Sequence, residues 1–154
     1  MRGARMRGMD ENSNHAAVDE LFRRLRENPS RSLGHRLLTR LTPQYIAGID
    51  LGGPDVLLGI AFEAKGGDSR RIFVFCDPPD GGGVVIVTDA DHRPLYSREL
   101  DLGNLKNPRL AKQPSGMVLV VQQWLRVNRS SLEHFYALES SDLTRIKTTA
   151  GPNW

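Results

Sequence analysis

Four aspartates border two turn-rich segments of the chain and are the residues best suited to chemistry. Asp50 and Asp55 enclose Leu-Gly-Gly-Pro, and Asp77 and Asp80 enclose Pro-Pro. Ca²⁺ and Mg²⁺ prefer oxygen ligands on such loops. Alternate loops of an up-and-down meander lie at one end of a sheet, so the pattern predicts that these carboxylates converge. They are candidate ligands for a divalent cation or the acidic end of a small enzyme. The alternative is that each stabilises only its own turn.

Asp89, Asp91 and His92 form a second acidic group, which the same meander places at the opposite end of the sheet. A strand of five or six residues separates the two ends by roughly 17–20 Å. These side chains therefore cannot act together with Asp77. Their segment is typical of a hairpin turn in which aspartates bond the local backbone.

Two further patterns have structural rather than catalytic explanations. The triple glycine at 81–83 precedes the apolar run 84–87, which predicts a strand, and the absence of a following Lys-Ser/Thr pair excludes a phosphate-binding loop. Cys76 is the single cysteine, so an internal disulfide is excluded, and we expect a buried structural thiol. With no catalytic constellation assembled, a non-enzymatic function is favoured, and no cofactor is expected unless the aspartates bind a divalent cation.

Basic charge is concentrated near the N-terminus. Residues 1–43 contain nine arginines and five acidic residues, a net charge of +4, whereas the rest of the chain has a net charge of −1. A basic arm of this kind is typical of proteins that bind an acidic partner or nucleic acid. Its candidate binding residues are Arg23, Arg24, Arg31, Arg36 and Arg40.

Residues 101–115 form a second basic segment, with Asp101 as its only acid. The segment shows no regular hydrophobic period, so we predict a long loop, and loops of this length are often binding elements. A core position is the alternative for the tryptophan that follows on the next predicted strand. The candidate binding residues are Lys106, Arg109, Lys112 and, as an interface anchor, Trp124.

The elements that position these residues begin with a helical arm over residues 13–43, which follows a disordered basic N-terminus at 1–12. Apolar residues recur at helical spacing in two helices, at Val18, Leu21, Phe22 and Leu25 and at Leu33, Leu37, Leu38 and Leu41. Asn28-Pro29 ends the first helix and Thr42-Pro43 ends the second. We expect both helices to cover one face of a sheet, with a homodimer seam as the alternative.

After Pro43 the hydrophobic period becomes two, which predicts a β-rich domain over residues 44–154. The predicted strands are 44–49, 55–64, 71–76, 84–88, 93–100, 117–127, 134–139 and 143–149, with a helix cap at Ser130 to Glu133 as an alternative before the seventh. Short connections require antiparallel neighbours. The fold class is therefore α+β: a predominantly antiparallel meander or sandwich with the amphipathic helix pair on one face.

The composition limits the cellular setting. Hydrophobic residues make up 39% of the chain and charged residues 25%, which permits a packed core. No stretch approaches the roughly 18 apolar residues that a membrane span requires. No apolar segment follows the N-terminal arginines, as it would in a secretory signal. We therefore expect a cytoplasmic protein without a membrane partner.

The leading interpretation is a non-enzymatic protein-interaction module that acts on a protein partner through the basic arm and the basic segment at 101–115. Two alternatives stay open. One is a small enzyme that uses the acidic loops, and the other is a nucleic-acid-binding protein that uses the arginines of residues 23–40. Steep loss of binding with salt would indicate the second alternative.

Overall fold

The N-terminal part of the fold is a long helix that covers a sheet. The structure is a computed structural model that describes residues 2–27, 40–79 and 81–153, with side chains from residue 14 onward. Helix α1 spans Arg2–Glu27 and buries Val18, Leu21 and Leu25. It begins before the predicted start at Ser13, so residues 2–12, which we expected to be disordered, are helical. Three arginines and two methionines in that segment are good helix formers.

The second member of the predicted helix pair is not confirmed. Most of it, including Leu33, Leu37 and Leu38, lies outside the described residues. The structure instead has a short helix α2, Pro43–Gly48, where we predicted the first strand. The Thr42 hydroxyl accepts a hydrogen bond from the Tyr45 backbone N–H at 3.1 Å, and Pro43 occupies the first turn. Thr-Pro therefore begins a helix here, because a capping hydroxyl followed by proline preorganises a first turn.

Eight strands form two four-stranded sheets, and their antiparallel pairing confirms what the short connections predicted. In sheet A the strands are β1 (Val56–Glu63), β2 (Ser69–Cys76), β3 (Gly83–Asp89) and β4 (Pro94–Leu100). In sheet B they are β5 (Leu105–Gln113), β6 (Gly116–Leu125), β7 (Ser130–Leu138) and β8 (Leu143–Ala150). The strand order in each sheet is the order in the chain. The helix cap considered at Ser130 is wrong, since that residue begins β7.

The prediction of a long loop at 101–115 is also wrong, because β5 occupies most of it. A register shift between Lys106 and Arg109 interrupts its pairing with β6, and Asn107 has a positive φ of 50°. An irregularity of this kind inserts unpaired residues and shifts the alternation of side chains. The strand therefore lacks a visible period of two.

The elements stack in three layers. The inner faces of the two sheets pack on each other, with Ile72 and Val74 of sheet A in the same core as Leu119 and Val121 of sheet B. The apolar residues of both helices pack on the outer face of sheet A, around Phe73 and its neighbours. In the described part of the chain, sheet A is thus covered on both faces, and sheet B has no helical cover.

Candidate functional site

Two of the four predicted aspartates meet at one lysine. Asp55 precedes β1 and Asp77 follows β2, and the antiparallel pairing of these strands brings the two loops together. Lys106 of β5 reaches between them: its Nζ lies 3.2 Å from Asp77 Oδ2 and 3.7 Å from Asp55 Oδ2. The backbone N–H of Asn107 also donates to Asp55 Oδ1 at 3.3 Å. This cluster joins the first strand of sheet B to sheet A.

The cation in this cluster is the ammonium of Lys106. Burial alone would lower the pKa of Lys106, but its hydrogen bond to Asp77 and the charge of Asp55 raise that pKa above the ordinary value. Asp50 accepts from the Gly52 N–H at 3.0 Å, which is local turn chemistry, and Asp80 lies outside the described residues. No three His, Cys, Asp or Glu side chains among the described residues are grouped to hold a metal ion. A divalent-cation site here stays a prediction.

The thiol beside this cluster is poorly suited to nucleophilic chemistry. Cys76 is 5% exposed, and burial, reinforced by the charges of Asp55 and Asp77, raises its pKa to about 12. Tyr45 donates its hydroxyl to the Cys76 backbone carbonyl at 3.0 Å, and burial raises its pKa to about 12 as well. Both groups therefore stay protonated near neutral pH, as expected of structural residues.

Two described arginines of the basic arm, Arg23 and Arg24, have partners within the arm. Arg23 contacts the carboxylates of Glu20 and Glu27, and Arg24 Nε lies 3.1 Å from Glu20 Oε1. These pairs are one helical turn apart, the spacing at which opposite charges face each other on a helix. Their charges are therefore compensated locally, which weighs against a phosphate-binding role. Arg31 and Arg36 lie outside the described residues.

Arg40 is buried and paired within the fold. It is 7% exposed, its guanidinium lies 3.1 Å from Glu99 Oε2, and it donates to the backbone carbonyl of Gly81. It therefore connects the segment before α2 with the β2–β3 loop and with β4. A buried arginine with two such partners is not a free binding residue.

Other predicted binding residues lie on the outer face of sheet B. Arg109 Nη2 contacts Glu133 Oε2 at 2.6 Å. The Trp124 indole donates to Gln122 Oε1 at 2.9 Å, and the Asn107 amide donates to the same oxygen at 2.7 Å. Trp124 is partly exposed, in keeping with an interface position, although its polar atom is satisfied within the chain. The structure thus places Arg109 and Trp124 on one surface, separate from Lys106.

The centre of this outer face is apolar. Val118 and Val120 alternate along β6 with core residues, so they point away from sheet A. They are 1% and 0% exposed, because neighbouring side chains cover them. Phe135 of β7 lies beside them, with the Lys147 ammonium 4.5 Å from its ring centroid. Ile146 of β8 is 48% exposed. Apolar side chains within a charged and amide-bearing rim are the usual composition of a protein interface.

A cavity of about 950 Å³ lies at the opposite end of the sandwich from the Lys106 cluster. The β1–β2, β5–β6 and β7–β8 hairpins enclose it, and its lining mixes cations, acids and apolar groups. The predicted binding residue Lys112 is one of the cations, together with Lys65. The cavity could not be predicted from the sequence, because no local sequence pattern shows that three hairpins from two sheets converge.

The strand β8 is the outer strand of sheet B, and seven of its eight residues are exposed. Its neighbour in the sheet is β7, whose His134 contacts β8 and is 3% exposed. The two ring nitrogens of His134 lie 3.0 Å from Thr148 Oγ1 and 2.9 Å from Gln123 Oε1. Burial, helped by Arg145, lowers the pKa of His134. Sequence analysis assigned no role to β8, although its lack of acidic residues was a usable signal.

The fold and surface define a two-sheet antiparallel sandwich with a helical cover on one side. Comparison with protein-family models, curated proteins and solved structures finds no match to this chain. In the described residues, no helix has the length and apolar character needed to cross a membrane.

Proposed function

We propose that this protein is a non-enzymatic protein-interaction module whose contact surface is sheet B. The observation that carries the proposal is the unequal covering of the two sheets. Helices pack on the outer face of sheet A, whereas no helix covers sheet B in the described part of the chain, and seven of the eight residues of β8, including Ile146, are exposed. Exposed apolar side chains within a polar rim mark surfaces that bind other proteins.

The proposal moves the contact surface away from the basic arm. Arg23 and Arg24 are compensated by acidic neighbours, and Arg40 is buried. Arg109 and Trp124 belong to the sheet without a helical cover, where Arg109 is paired with Glu133 and stays about half exposed. Arginine and tryptophan are the residue types that most often dominate interface energies. Of the binding residues predicted from sequence, a protein partner on sheet B would therefore contact Arg109 and Trp124.

The test compares two exposed isoleucines on opposite sheets. Ile146 of β8 is 48% exposed and Ile60 of β1 is 43% exposed, so Ile146→Glu and Ile60→Glu are a matched pair. We expect a partner captured by the immobilised full chain to be lost with Ile146→Glu and retained with Ile60→Glu. With that partner purified, calorimetry is expected to show at least tenfold weaker binding, about 1.4 kcal/mol, for Ile146→Glu only. Equal capture by both variants would overturn the proposal.

A further inference from the structure

We propose that β8 takes up an acidic, extended segment of the partner protein as a fifth strand of sheet B. This inference rests on the proposed function and specifies the chemistry of the partner. An edge strand presents a row of backbone N–H and C=O groups, and an extended peptide can complete the ladder along it. Seven of the eight residues of β8 are exposed and provide such a row, which a register shift against β7 interrupts between Arg145 and Lys147.

The hairpin that precedes β8 shows which backbone groups point outward at its beginning. The Glu139 N–H donates to the Asp142 carbonyl at 3.0 Å, so these two residues form a hydrogen-bonded pair. Hydrogen-bonded and non-hydrogen-bonded pairs alternate along an antiparallel ladder. Three pairs inward from that hairpin, beyond Leu138–Leu143 and Ala137–Thr144, Tyr136 and Arg145 form a non-hydrogen-bonded pair. The backbone N–H and C=O of Arg145 are therefore directed away from β7.

A hydrogen bond just after the end of β8 shows which of its last backbone groups point away from β7. The Gly151 N–H donates to the Ser131 carbonyl at 2.8 Å. Alternation from that bond makes Ala150 and Thr148 members of non-hydrogen-bonded pairs with β7. Their N–H and C=O groups also face the outer edge. Arg145, Thr148 and Ala150 thus offer backbone donors and acceptors to an added strand.

Charge selects the occupant of this edge. The strand carries Arg145 and Lys147 and no acidic residue. A second copy of β8 paired with it in antiparallel fashion would bring cations close to cations, and like charges across a ladder are destabilising. An acidic segment would instead place carboxylates next to Arg145 and Lys147. Charge complementarity therefore favours an acidic partner strand over self-association.

The experiment selects binders from a library of extended nine-residue peptides. Alternate positions are Val, Ile or Thr, and the others are fully randomised. We expect the selected peptides to be enriched in Asp and Glu. Their affinity is expected to fall at least tenfold with Arg145→Glu/Lys147→Glu and to change less than twofold with Arg26→Glu, a charge reversal at an exposed position of α1, which packs on sheet A. A backbone N-methylated copy of the best binder should not bind, because it keeps the charges but loses the ladder hydrogen bonds.

Hydrogen exchange provides the structural readout. On peptide binding, the amides of Arg145, Thr148 and Ala150 should exchange more slowly, whereas those already bonded to β7 should change little. Enrichment of neutral or basic peptides, or protection elsewhere in the chain, would overturn the inference. Concentration-dependent dimers lost with Arg145→Glu/Lys147→Glu would assign the edge to a second copy instead. If no acidic peptide binds but Ile146→Glu still releases the captured partner, this inference fails while the proposed function stands.

Discussion

The ammonium of Lys106 lies 3.2 Å from the carboxylate of Asp77, and this contact joins sheet B to the loop that leaves sheet A. A lysine in this position balances part of the negative charge of Asp55 and Asp77. The two carboxylates at this end come from loops on neighbouring strands, and the lysine between them reduces their mutual repulsion.

Replacing Lys106 should therefore weaken the joint between the sheets. We expect Lys106→Met to lower the free energy of unfolding by about 1 kcal/mol, or roughly 2–4 °C in Tm for a chain of this size, since its partners are partly exposed. Lys65→Met in the β1–β2 turn is the matched control and should leave Tm unchanged. The loss should shrink in high salt. Equal Tm values for the two variants would show that the cluster adds nothing to stability.

Arg40 should matter far more than the exposed arginines of α1. Arg40→Met removes the buried cation beside Glu99 and the donor to the Gly81 carbonyl, so we expect a loss of about 2–4 kcal/mol in urea unfolding. The double variant Arg40→Met/Glu99→Gln should lose less than the sum of the single variants, because the two side chains interact. Arg23→Ala, at an exposed helical pair, should unfold like the parent chain. A comparable loss for Arg23→Ala would contradict this ranking.

Stability should fall with pH below about 6.5, the ordinary pKa of a histidine. Burial keeps His134 neutral in the folded chain, so its pKa there is lowered, and the unfolded chain takes up the proton first. The contribution of neutral His134 is thus fully present above that pH and is lost as the pH falls. Urea unfolding at pH 7.5, 6.5 and 5.5 measures this slope. His134→Gln should flatten it, and an unchanged slope would assign the effect to other groups such as His92, whose pKa is also lowered.

Two neighbouring glycines should respond very differently to alanine. Gly81 and Gly82 both have positive φ, 78° and 76°, which costs an alanine roughly 1–2 kcal/mol. A Cβ on Gly81 would meet nothing within 4 Å, whereas one on Gly82 would lie 2.4 Å from the backbone oxygen of Leu100. We expect Gly81→Ala to stay near that backbone cost and Gly82→Ala to exceed it by about 2 kcal/mol or more in thermal unfolding. Similar Tm values for both would contradict the close approach of this turn to β4.

The sheets could be predicted from sequence because their strands are local. Alternation of apolar residues and short connections located seven of the eight strands, and the antiparallel pairing followed from loop length. Secondary structure was mispredicted where a sequence pattern is compatible with two structures or where the alternation is interrupted. Thr42-Pro43 ends one helix or begins another, and only the observed cap distinguishes them. The irregular pairing after Lys106 concealed β5 by interrupting its alternation.

The side-chain contacts of the candidate site were harder to predict from the sequence. The approach of Asp55 and Asp77 followed from the meander, but the lysine between them comes from the other sheet. Which of the basic residues have acidic partners also depends on side-chain packing, as the contact between Arg109 and Glu133 shows. Sequence composition counts charges, whereas the structure shows which of them are already paired.

The sequential strand order of both sheets has a consequence for how the chain is made. Every strand pairs only with its predecessor or successor, so each ladder closes a short loop, and short loops cost little entropy to close. The strands of sheet A all end by Leu100, before the first residue of sheet B, so they leave the ribosome first. A growing chain can therefore complete one sheet while the ribosome still holds the other. The docking of sheet B onto a finished neighbour is then the last, longest-range event of folding.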